Sequence, residues 1–260
     1  MARETSPDAA RARTATGLEL ARLADSAAAE DVLLALVENP ALDESHVERL
    51  LARPELSRAV IDRIAARREW MAQPALRRAV CFHPHVPRLA GLRLLRQLYV
   101  FDLVELALRV ATPAELKRQA EELLLGRAAQ LPLGQKIALA RRGPGRLAAE
   151  LLAEGLRQVV APALENPRIT EAHLMRLLAR DDAPPGVVAA IARHPKWSAR
   201  PGVRVALVRH PLTPLARVLA FLPEIGLADL RDLCALANLP KNLRGYLEHE
   251  IARRSRARRL

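Results

Sequence analysis

ENPRITEAHLMRLLARDDAPPGVVAAIARHPKWSARPGVRVALVRHPLTP, residues 165–214, decides the fold. Three dipeptides, Asn166-Pro167, His194-Pro195 and His210-Pro211, cut it into apolar stretches of helical length. The residue ahead of a proline is pushed out of the α region and proline cannot continue a helix, so each dipeptide ends one sharply. Leu239-Pro240 supplies a fourth stop, and the steps from stop to stop run 28, 16 and 29. Helices of about 10–13 residues joined by such tight turns read as stacked antiparallel hairpins, a quasi-one-dimensional architecture.

Working outward, the same stretch occurs earlier in the chain. In the register that lays Glu38 on Glu165, the two halves align without a gap. Glu38-Asn39-Pro40 falls on Glu165-Asn166-Pro167, Arg49-Leu50-Leu51-Ala52-Arg53 on Arg176-Leu177-Leu178-Ala179-Arg180, Trp70 on Trp197, and His83-Pro84 on His210-Pro211. Such self-similarity marks an internal duplication. Composition agrees with helices throughout: 48 Ala, 47 Leu and 37 Arg dominate the 260 residues, and only seven are aromatic. Strong helix formers are abundant and strand formers scarce, so the fold class is all-α, an α-solenoid. Residues 1–16 lack periodicity and are expected to be disordered. One solenoid is expected over 17–250, with copy one at about 34–122, a connector hairpin at about 123–160 without an earlier counterpart, and copy two at about 161–249. Residues 251–260 form a basic tail.

Segments such as Val205-Ala206-Leu207-Val208-Arg209-His210-Pro211-Leu212-Thr213-Pro214 resemble the HEAT-like and leucine-rich repeat variant families. Their units often end a helix on such a dipeptide and open the next on Thr-Pro. The resemblance covers roughly residues 30–250, and the uneven 28/16/29 steps depart from a regular variant repeat. It implies a curved scaffold that binds proteins or nucleic acid, and no reaction.

The formal charge is +12, with +4 in residues 124–160 and +5 in 251–260. Arginine outnumbers lysine 37 to 4, which suits phosphate recognition but also follows from a GC-rich coding sequence. No apolar run is long enough to span a bilayer and no secretory signal is visible, so a cytoplasmic protein is expected. The two cysteines, Cys81 and Cys234, fit a reducing compartment.

Several groupings look chemical. Cys81-x-His83-x-His85 holds metal-ligand types, but only His83 recurs in the second copy, as His210, and no fourth ligand is near in sequence; no metal or cofactor is expected. Asp102-x-x-Glu105 and Asp229-x-x-Asp232 read as helix N-caps rather than as catalytic carboxylates. Trp70 and Trp197 read as plugs between repeats. The best site is a stripe at i, i+3 and i+7: His46, Arg49 and Arg53, repeated as His173, Arg176 and Arg180. Apolar residues cover the opposite face. The stripe is expected to meet a protein partner. The alternative partner is nucleic acid, held at its phosphates by Arg141, Arg142 and Arg146 of the connector and Arg253, Arg254, Arg256, Arg258 and Arg259 of the tail. HEAT-like DNA glycosylases give a distant enzymatic precedent, but no convergent catalytic carboxylate is present, and a non-enzymatic protein is expected.

Overall fold

The structure, a computed structural model, describes residues 6–27, 29–236 and 241–257. Among them the regular elements are all helical. The chain forms two compact units, Met1–Gly126 and Arg127–Leu260, where the sequence reads as one body over 17–250.

The first unit contains α1 (Pro7–Thr14), α2 (Gly17–Ser26), α3 (Glu30–Val37), α4 (Glu44–Leu51), α5 (Arg58–Ala66), α6 (Arg68–Ala72), α7 (Pro74–Phe82), α8 (Arg88–Leu95) and α9 (Val100–Leu108). The boundary falls in the last turn of α10 (Ala114–Ala128). The second unit contains α11 (Leu133–Arg142), α12 (Gly145–Ala153), α13 (Arg157–Leu164), α14 (Glu171–Leu178), α15 (Pro185–Arg193), α16 (Pro195–Ser198), α17 (Pro201–Arg209), α18 (Leu215–Phe221), α19 (Leu227–Cys234) and α20 (Lys241–Ala257).

In the first unit α1 packs on α3, α3 on α5 and α5 on α8, while α2 packs on α4, α4 on α7 and α7 on α9. In the second, α11 packs on α13 and α13 on α15, and α12 packs on α14 and α14 on α17. The short α6 and α16 each touch the helices before and after them.

The stops act as their chemistry requires. His83, His194 and His210 end α7, α15 and α17 in extended conformation, with ψ of 137°, 122° and 124°. Prolines open α7, α15, α16 and α17, where a missing N–H costs nothing. The Asp43 and Ser57 side chains accept the His46 and Val60 N–H groups and cap α4 and α5. From α3 to α9 the helices are 5 to 9 residues long, shorter than the spacing predicts. Closing turns consume the difference: the Asn39 N–H, for example, donates to the Leu36 carbonyl three residues back.

Three expectations are corrected. Residues 7–14 are helical, not disordered, because the small side chains of Ala9 and Ala12 pack fully against the unit although they leave almost no hydropathy pattern. The connector has a counterpart. α11 and α12 meet α13 and α14 as α1 and α2 meet α3 and α4. Asp102 and Asp229 are third residues of α9 and α19, which begin after Tyr99 and Gly226. There they complement the helix dipole, and Arg78 holds both Asp102 (3.1 Å) and Glu105 (2.8 Å).

The core is mainly leucine, with both tryptophans buried. Several polar side chains, Asn39 and Asn166 of the buried core among them, share one task. A short helix that stops in an extended residue leaves its last carbonyls without N–H partners. Here side chains 23 to 33 residues further along the chain supply them. Asn39 Nδ2 donates to the carbonyls of Ala12 and Ala15, both at 2.8 Å, and Asn166 Nδ2 to those of Ala140 (2.8 Å) and Gly143 (3.1 Å). Arg53 donates to Ala24 and Ala27, Arg67 to Val37, Arg93 to Ala65, Arg109 to Phe82 and Arg217 to Ala192. Trp197 Nε1 donates to Leu164 at 2.9 Å. At the matching carbonyl in the first unit the donor is Arg67, whose guanidinium also lies 5.0 Å above the Trp70 ring.

Asn39→Asp and Asn166→Asp preserve shape but replace the donating amide with a carboxylate that faces two carbonyls. Each is expected to lower the unfolding free energy by at least the ~1–3 kcal/mol typical of an unsatisfied buried group, as much as the alanine variant or more. Denaturant unfolding checks this. An aspartate variant as stable as wild type would show that the amide fills space only.

Candidate functional site

The stripe expected to meet a partner is differently employed in the two units. In the first, His46 Nδ1 lies 2.5 Å from Asp43 Oδ1, and Arg49 reaches Asp25 at 3.5 Å. Arg53 pairs with Glu55 at 2.9 Å while its other nitrogens cap the end of α2. The hydrogen bonds from the Ser45 hydroxyl and the His46 backbone pull the Asp43 carboxyl down to about 2, so a full negative charge stands beside the imidazole. These three side chains are held within their own unit.

In the second unit Thr170 replaces Asp43 and offers no charge. Its N–H donates to His173 Nδ1 at 3.1 Å, completing a capping box. Arg176 is exposed without an acidic partner among the described residues. Arg180 meets Asp182 at 2.9 and 3.0 Å, as Arg53 meets Glu55 at the matched position. The two copies therefore differ at His173 and Arg176, which lack the acids that meet His46 and Arg49.

What joins His173 and Arg176 is the turn between α11 and α12. Gly145, the first residue of α12, sits so close that a side-chain carbon on it would collide with the Arg168 carbonyl and lie 2.9 Å from His173 Cε1. Only glycine permits this approach. It places Arg146 beside His173, and Arg168 Nη1 donates to the Arg142 carbonyl at 3.2 Å. Burial, then Arg176 and Arg146, push the His173 imidazole below its ordinary range, which is the electrostatic signature of the cluster. Arg141 and Arg142 are exposed at the end of α11. Arg168, which sequence reasoning overlooked, sits two residues after Asn166, whose Oδ1 accepts its N–H at 2.8 Å.

The tail arginines are not one set. Arg253 and Arg254 both bind Glu250 at 2.7 Å, and Arg254 also donates to the carbonyls of Ile225 (2.6 Å) and Leu222. These guanidiniums, Arg253 foremost, hold the Glu250 carboxyl down at about 2. Arg254 belongs to the fold; Arg256 is exposed; Arg258 and Arg259 lie outside the described residues.

The remaining groupings are structural. His83 Nε2 donates to the Arg53 carbonyl at 2.8 Å, and His85 Nδ1 to that of Leu56 at 3.0 Å. Burial pushes the Cys81 thiol up to about 12, far from a ready metal ligand or nucleophile. Among the described residues no three His, Cys, Asp or Glu side chains gather at a metal-binding distance, and no helix is long and apolar enough to cross a membrane.

Burial holds His83, His173 and His194 below the ordinary imidazole value of 6.5. The folded chain therefore takes up these protons at lower pH than the unfolded chain does. Their contribution to stability is complete above about 6.5 and is lost as pH falls through the lowered values. The melting temperature is expected to drop between about pH 7.5 and 5; a flat profile there contradicts the burial described. Neither a family model, nor a curated protein, nor a solved structure matches this chain.

Proposed function

We propose that the chain is a non-enzymatic α-solenoid protein, built by duplication in the HEAT-like manner, whose second unit binds the phosphate backbone of nucleic acid. One observation carries this reading. Residues 1–126 contain 18 Lys and Arg against 18 Asp and Glu, whereas residues 127–260 contain 23 against 11. The whole net charge of +12 is on the second unit. A GC-rich coding bias would load both units alike, and charge asymmetry between halves points to a polyanion.

The helix bounds support the duplication. The register that lays Asn39 on Asn166 also lays both ends of α3, α4, α5 and α7 on the ends of α13, α14, α15 and α17. Between the two matched stretches, Glu55 of the first has its counterpart in Asp182, but Asp43 and Asp25, which meet His46 and Arg49, are matched by Thr170 and Leu152. Arg141, Arg142, Arg168 and Arg176 are exposed in the second unit. Aromatic residues for base stacking are scarce, so affinity comes from phosphate neutralisation and carries little sequence preference.

The protein-partner reading has its own support on the neutral first unit, where Tyr99, Phe101 and Val110 are exposed. A cytoplasmic adaptor with nucleic acid on one unit and protein on the other accommodates both.

Binding of the full chain to a generic DNA duplex between about 50 and 200 mM salt tests the proposal. Arg141→Ala, Arg142→Ala and Arg176→Ala together are expected to lower the salt slope by up to about 2.7, at about 0.9 per phosphate contact. The matching triple change at Arg22, Arg58 and Arg68 in the first unit should leave the slope alone. Equal effects of the two sets, or no salt-dependent binding, would overturn the reading.

A further inference from the structure

His46 and His173 occupy matched places, third in α4 and third in α14, and meet opposite surroundings. At His46 the Asp43 carboxylate lies 2.5 Å from Nδ1, so a proton on that ring meets its counter-charge within the unit. At His173 the Nδ1 instead accepts the Thr170 N–H at 3.1 Å. The turns around it have changed as well. In the register that lays Asn39 on Asn166, Arg142, Arg146 and Arg168 stand where the first unit has Ala15, Glu19 and Ala41. The His173 side chain is half-buried, so charge arriving from solvent acts on it.

The charged side chains of α14 and of the helices packed most closely on it can all be placed. α12 carries Arg146 and Glu150, α14 Glu171 and Arg176, and α17 Arg204 and Arg209. Arg176 and Arg146 are the two whose charge reaches His173. The Glu171 carboxylate lies against Gly202 of α17, and Glu150 acts on Arg180. Arg204 pairs with Glu224 at 2.6 Å, and Arg209 lines a cleft with Leu178, Arg180 and Asp181 at the other end of α14. In the flanking turns Glu165 acts on His194 and Asp182 pairs with Arg180. Among the described residues, His173 therefore sits in a field of guanidiniums from two helices that no carboxylate offsets.

Burial, then Arg176 and Arg146, hold this ring neutral at pH 7 in the free chain. A phosphate held among Arg142, Arg168 and Arg176 cancels part of the cationic field and favours the imidazolium. A proton entering at Nδ1 displaces the Thr170 N–H, and the Thr170 hydroxyl, 3.1 Å from Nδ1, is placed to accept it. We infer that phosphate binding by the second unit is coupled to proton uptake at His173, so that nucleic acid is held more tightly in mildly acid solution than at neutral pH. This rests on the phosphate reading of the unit and adds its regulation. Linkage is reciprocal: a ligand that favours the protonated ring is itself bound better by it. The gain is absent well above the pKa of the bound state. It grows as pH falls towards the lower pKa of the free chain, and there it levels off.

Affinity of the full chain for a generic DNA duplex at about 100 mM salt, compared at about pH 7.5 and 5.5, tests this. The duplex keeps its phosphate charge across that range. On going to the lower pH, wild type is expected to gain about tenfold more affinity than His173→Gln, as befits a midpoint raised by about one pH unit on binding. Glutamine does not titrate, and as a usual residue at this place in a capping box it still accepts the Thr170 N–H. His46→Gln should leave the pH response alone. Thr170→Asp gives His173 the carboxylate that His46 has, charges the ring before binding and should remove most of the response. In ¹⁵N-labelled wild type, the titration midpoint of the His173 ring is expected to rise on saturation with duplex. Salt-dependent binding with equal pH responses in wild type and His173→Gln, or an unmoved His173 midpoint, overturns the inference and leaves the phosphate reading standing. Absence of salt-dependent binding overturns both.

Discussion

Unsatisfied carbonyls at the ends of short helices are the constraint on which this structure depends. Every turn that stops in an extended residue ahead of a proline gives up the hydrogen bonds that a longer helix or a glycine cap would have made. With helices this short, nearly half the carbonyls of each are end carbonyls. Burying them without partners would be prohibitive. The donors come from side chains 23 to 33 residues further along the chain, so later helices complete the ends of earlier ones. Asn39 and Asn166 show the device most fully, since each also closes its own turn through Oδ1. Coupling of this kind ties the end of one helix to a later helix packed near it.

The same constraint accounts for much of the arginine. Arg53, Arg67, Arg93, Arg109, Arg217 and Arg254 reach backbone carbonyls with a long, forked donor that remains charged at any accessible pH. Lysine would bring a compact, heavily hydrated ammonium to the same place. Arginines left on the surface after these are set aside are the ones available for function, and they are unequally shared. In the first unit carboxylates such as Asp25, Glu38 and Glu115 meet many of them. In the second, fewer acids remain and the turn at Gly145 draws several cations together. The two units thus differ in surface chemistry, while their cores keep many of the same residues.

Matched positions in the two units differ in small ways. The carbonyl of Val37 is met by Arg67 and that of Leu164 by Trp197, so one structural need is filled by unlike donors. Asp43 and Thr170 both cap a helix that begins one residue later, yet only the first brings charge to its histidine. His83 and His210 share one bond, to the N–H two residues on, and differ in the other.

The helical class, the places where helices stop and the echo between the two halves are legible in the sequence, because proline's geometry and the preferences of alanine and leucine act locally. Burial of Trp70 and Trp197 is legible for the same reason: a large aromatic recurring in a chain with so few has few other uses. The helix at Pro7–Thr14 and its likeness to Leu133–Arg142 are not, since alanines pack by shape and leave no periodic signal. Nor could spacing along one helix show that Arg53, besides its pair with Glu55, caps another helix, or that Arg254 is committed to Ile225 and Leu222. Which guanidinium finds a carbonyl and which is left to solvent is settled only when helix ends distant in sequence come within hydrogen-bonding reach, and that proximity is a property of the packed structure alone.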